Sequence, residues 1–69
     1  MKLITRFELA ARSKDELKGL YRAAFNALVQ SEKDTPERRN ALASLENISR
    51  ELAWRDSQLY INTLAAPST

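Results

Sequence analysis

The stretch Ser31-Glu32-Lys33-Asp34-Thr35-Pro36-Glu37 divides two long helical patterns and decides the fold. Ser31 to Asp34 form a polar connection, and Thr35 is placed to cap the second of the two helices. A cap hydroxyl accepts a bond from a free backbone N–H of the first helical turn. Proline loses nothing at the first helical position, because its missing N–H would have no helical partner there. A connection this short makes the helices on either side antiparallel neighbours. A second start signal, Ser13-Lys14-Asp15-Glu16, stands before the other pattern. There Ser13 can cap, and Glu16 can return a bond to the cap backbone.

Working outward, the spacing predicts a helix over about 14–30. Leu17, Leu20, Tyr21, Ala24 and Leu28 fall on one helical face, and Phe25 and Val29 widen it along one edge. Gly19 lies on the opposite, polar side, at a cost of about 1 kcal/mol against Ala. It is read either as tolerated or as a place of close backbone approach by a partner. Before this helix, Leu3, Ile4, Phe7, Leu9 and Ala10 form an apolar lead-in. Thr5 could cap a helix there over about 6–12, which is too short to stand without packing on the rest.

The third helix is expected over about 36–64. Ala41, Leu45, Ile48, Leu52 and Leu59 make one stripe with Leu42 beside it, and Glu46/Arg50 and Glu51/Arg55 are favourable i, i+4 pairs. Past Ala53 the pattern changes. Trp54 and Ile61 point about 180° away from the Leu45/Leu52 stripe at the helical step per residue, with Tyr60 and Leu64 between the two faces. A helix apolar on two sides is buried on two sides. Either a second chain covers Trp54 and Ile61, or the helix breaks near Asp56-Ser57 and folds back. The lack of Gly or Pro there favours the continuous helix. Residues 1–66 read as a single helical domain, and 67–69 as a flexible tail.

Composition bounds the function. The chain has 69 residues with 43% hydrophobic and 29% charged, no Cys and no His. A domain this small buries only about 60% of its unfolded surface. Disulfides are excluded, and a structural zinc site is disfavoured without thiolate or imidazole. Self-association is the remaining support, so a homodimeric helical bundle is expected. Without His or Cys the usual general base and the common nucleophiles are missing, and the expectation is a non-enzyme with no cofactor and no metal. The net charge of +2 is a small excess, where dedicated nucleic-acid binders carry a larger, clustered one. No apolar run is long enough to span a bilayer, so no membrane partner is expected. The absence of Cys fits a reducing compartment, and the reading is a small bacterial cytoplasmic protein.

Two basic features stand out. Lys14, Lys18 and Arg22 form a row that Phe25 continues, read either as a contact surface for an acidic partner, phosphate or lipid, or as a solvated flank whose stems cover the core edge. Arg38 and Arg39 sit in the first turn of the third helix, where the dipole disfavours cations. Either an anion is held there, or Glu32, Asp34 and Glu37 neutralise them. Leu9 to Leu20 resembles half of a helix-turn-helix, but Lys14 occupies the turn position that usually holds Gly, and no supporting helix precedes it.

These readings converge on an all-α chain: a short N-terminal helix followed by a two-helix antiparallel hairpin. The expected function is a protein-protein interaction module. Trp54, Tyr60, Ile61 and Leu64 would self-associate, and Lys14, Lys18, Arg22, Phe25, Arg38 and Arg39 would face an outside protein. The alternative is a small nucleic-acid-associated regulator using the basic residues.

Overall fold

The computed structural model describes the backbone of residues 1–65 and the side chains of residues 1–58. Among the described residues the chain is helical and has no strand: α1 (Arg6–Ala10), α2 (Lys14–Gln30) and α3 (Pro36–Ala65). The three helices pack together, with α3 against both others.

Local bonds explain the helix starts. The Ser13 hydroxyl accepts the Glu16 N–H at 3.1 Å, and the Ser13 N–H donates to the Glu16 carboxylate at 3.2 Å, completing a capping box. The Thr35 hydroxyl accepts the Arg38 N–H at 3.2 Å and donates to the Glu32 carbonyl at 2.7 Å. Asp34 between them adopts φ 62°, a left-handed conformation that Asp tolerates better than most residues. That conformation turns the chain within a short connection. Thr5 caps α1 by accepting the Glu8 N–H.

α1 ends at Ala10 rather than at Arg12. Ser13 must be extended to cap α2 (ψ 163°), so the chain leaves the first helix before it. In contrast, α3 runs without interruption through Asp56-Ser57. The fold-back alternative does not occur.

The core is a thin seam. Leu9, Leu17, Ala24 and Ile48 are fully buried, and Met1, Ile4, Leu20, Leu45 and Leu52 pack on them. α2 and α3 contribute residues of their expected stripes, although Tyr21 and Leu42 lie at the edge and remain exposed and the side chain of Leu59 lies outside the described residues; of the lead-in, Leu3, Phe7 and Ala10 are exposed.

Residues before α1 are held by an arrangement that periodicity does not reveal. The Asn40 amide donates to the Met1 carbonyl (3.0 Å), the Ser44 hydroxyl accepts the Ile4 N–H (3.0 Å), and the Asn47 amide donates to the Ile4 carbonyl (2.9 Å). At steps of four and three, these polar residues share one face of α3. They turn it into a rail for an extended strap.

Arg55 continues the rail. Its guanidinium donates to the carbonyls of Leu9 (3.1 Å) and Arg12 (2.6 Å), with a longer contact to Ala10 (3.5 Å). These groups lie at the end of α1, where helix carbonyls have no partner within the helix. Arg55 also pairs with Glu51 at 2.9 Å. Glu51 is itself buried and has Arg6 on its other side at 4.0 Å.

Candidate interaction site

A seam between two packed helices has two sides. On one side of the α2/α3 seam lie the strap and α1. The other side is open, and its edges can be followed residue by residue. Along α2 the positions Lys14, Lys18, Tyr21, Phe25 and Val29 succeed one another at three- and four-residue steps. Along α3 the matching positions are Arg38, Leu42, Leu45, Ser49, Leu52 and Asp56. The edges are tied at both ends. Lys14 pairs with Asp56 at 3.2 Å, and Arg38 donates to the Leu28 carbonyl at 3.3 Å.

Between these ties the open edge is apolar. Val29 is 67% exposed and Phe25 49%, with Tyr21 and Leu42 also exposed. Lys18, Tyr21, Arg22 and Leu52 line one hollow along it. Tyr21, Arg22, Phe25 and Asn26 line another just beyond.

The basic residues divide into tied and free. Lys14 is engaged by Asp56. Lys18, Arg22 and Arg39 are exposed and have no carboxylate within 4.0 Å among the described residues. Arg38 is half-buried, and among the described residues it forms no ion pair with a carboxylate. Glu32, Asp34 and Glu37 take part in no ion pair among the described residues. Arg38 instead serves the carbonyl end of α2, which has no basic residue in its own last turn. A cation is favoured there. The apparent misfit at the start of α3 is thus a fit to the end of α2. Arg39 lines a hollow with Lys33, Asp34, Thr35, Arg38 and Leu42. Lys14, Lys18 and Arg22 therefore stand towards one end of the edge and Arg38 and Arg39 at the other, with Phe25, Val29 and Leu42 between.

A second exposed surface lies on the other side of α3. Trp54 is 55% exposed and Phe7 is 87% exposed. The two line one hollow with Arg6, Ala10, Glu51 and Arg55. By sequence Phe7 is one member of an apolar lead-in. In the fold its neighbour Leu9 takes the buried place instead, because a helix this short can turn only one narrow face inward. Tyr60, Ile61 and Leu64, expected beside Trp54, belong to α3, and their side chains lie outside the described residues, as do residues 66–69.

The Glu46/Arg50 pair is absent from the ion pairs, while Glu51/Arg55 forms. Both members of the first pair are exposed, where water competes for each charge. Glu51 is buried, where water competes less for its charge.

Among the described residues no group of three or more His, Cys, Asp or Glu could hold a metal, and no helix is long and apolar enough to cross a membrane. No protein-family model, curated protein or solved structure matches the chain.

Proposed function

We propose that this chain is a small, non-enzymatic interaction module of the cytoplasm. In this reading residues 1–66 form one domain, in which α2 and α3 make an antiparallel hairpin and α1 leads in. Two copies join through the face of α3 that carries Trp54, giving a dimeric bundle. The open α2/α3 edge is left for an outside protein.

The observation that supports this is the exposed aromatic pair Phe7 and Trp54 around one hollow. Large aromatic side chains bury much area with few rotamers to freeze, so they concentrate at the centres of protein interfaces. Ile61 lies seven residues beyond Trp54 on the same uninterrupted helix, which extends the face along α3. The absence of His and Cys supports binding rather than catalysis.

Sedimentation at micromolar concentration tests the reading. The expected result is a dimer that becomes monomeric when Phe7→Ser and Trp54→Ala are combined, with helicity retained. A clean monomer of 7.9 kDa for the natural sequence overturns it.

A further inference from the structure

We propose that the open edge of the α2/α3 seam docks an acidic amphipathic helix of another protein. This rests on reading the chain as an interaction module, but it uses a different face from the one assigned to self-association.

Shape favours a helix. The strap and α1 already close one side of the seam, and a third helix laid on the other side would complete a layered bundle. From Leu42 to Leu52 α3 rises about 15 Å, room for about ten residues of a docked helix. Along that length the α3 wall is Leu42, Leu45 and Leu52. Ser49 sits exposed among them, a small side chain that leaves space for a knob from the partner. The α2 wall is Tyr21, Phe25 and Val29. An amphipathic helix reads such a groove with apolar anchors three, four and seven residues apart.

Charge selects the partner. Lys18 and Arg22 stand on the α2 rim and Arg39 at the far end, all exposed and, among the described residues, without a carboxylate partner. Asp56 at the other end is already taken by Lys14. Asp15 shares the outer flank of α2 with Arg22, and Glu46 that of α3 with Arg39, seven residues apart in each case; Arg22 and Arg39 line hollows with residues of the edge, whereas Asp15 and Glu46 line none of these. Self-association is assigned above to the face that carries Trp54, which leaves this edge for a different protein. A helix with Asp and Glu along the flank nearest α2 meets Lys18 and Arg22 with opposite charge. Phosphate chemistry alone would leave Val29, Leu42 and Phe25 uncovered, since a phosphate backbone is held by cations rather than by aliphatic surface.

The test is a displayed library of helical peptides, apolar at three- and four-residue steps and randomised on both flanks, selected against the intact chain. The expected result is enrichment of Asp and Glu on one flank. Selected peptides should bind at least about tenfold more weakly to Phe25→Ala and to the Lys18→Glu/Arg22→Glu double variant, and with undiminished affinity to Trp54→Ala. Selection against the double variant should enrich Lys and Arg instead. Val29→Gln replaces Phe25→Ala if circular dichroism shows that the latter loses helicity. No enrichment, flanks without acidic bias, or binding indifferent to the edge variants overturns the proposal. So does tighter binding of this edge to short duplex DNA or to phosphatidylserine vesicles than to the selected peptides. Because Trp54→Ala leaves this edge intact, failure here and failure of self-association are read separately.

Discussion

Gly19 sits inside α2, and a Cβ built on it would meet no atom within 4 Å. Nothing within the chain therefore calls for Gly at this position, and in the isolated chain its backbone freedom is a cost. Gly19→Ala should stabilise the chain by about 0.5–1 kcal/mol, seen as a higher denaturation midpoint at unchanged slope. Glu16, one turn earlier, carries a pH dependence. The Ser13 N–H, and after it the Arg12 guanidinium, hold its carboxyl below the ordinary range for Glu. A carboxyl whose folded pKa is depressed adds stability that is complete above its unfolded pKa and is lost as pH falls through the folded one. The wild type should therefore lose more of its midpoint between neutral and acidic pH than Glu16→Gln, and equal acid losses would show that the box holds Gln as well as Glu. At this scale the helix caps are legible in the sequence because donor and acceptor lie within three residues of each other. The roles of Asn40, Ser44 and Asn47 are not, since their partners lie 39 to 43 residues away. A polar stripe at helical spacing beside the apolar one is the signal that could reveal them.

At the level of elements, α3 acts as a platform with two kinds of attachment. It holds α2 chiefly by apolar contact, and it holds the strap and α1 both by apolar packing of Met1, Ile4 and Leu9 and by polar contact with main chain. Ser44 is fully buried, so Ser44→Ala strands the Ile4 N–H and should cost about 1 kcal/mol, after the better helix propensity of Ala is allowed for. Hydrogen exchange at Ile4 should quicken more than exchange in the middle of α2, and uniform quickening would mean that the strap does not open separately. Arg55→Ala removes the side-chain donor to the Arg12 carbonyl and to that of Leu9, which the Arg12 N–H still serves, and leaves Glu51 buried beside only the distant Arg6. It should cost about 2–3 kcal/mol in equilibrium denaturation, and Arg55→Lys should recover little, because one ammonium cannot reproduce the guanidinium fork. Element type and the uninterrupted α3 are legible from periodicity and the lack of breakers at Asp56-Ser57. The shorter α1 is not, because its end is set by what Ser13 must do for α2. The open edge is half legible. Lys18, Arg22 and Phe25 stand out on α2 from spacing and charge, but spacing alone sets Leu42 beside the buried stripe and does not show that it forms an exposed α3 wall.

On the scale of the whole molecule, the chain is elongated, with extents of 54 × 19 × 17 Å. Among the described residues the fully buried apolar ones are Leu9, Leu17, Ala24, Ala41 and Ile48, and two of these are alanines. A core so thin leaves little stability to spare, and the proposed dimer would supply more by covering Phe7 and Trp54. Stability that comes from association obeys mass action, so it must depend on concentration. Raising the chain concentration about a hundredfold should lift the Tm by at least about 5 °C. In the combined Phe7→Ser and Trp54→Ala variant the Tm should be lower and independent of concentration. Both side chains are largely exposed, so replacing them removes little packing within one chain. The size of the concentration effect therefore reads the association itself. A Tm that stays constant for the natural sequence, or that rises equally in the variant, means that this face of α3 and α1 is not where copies meet.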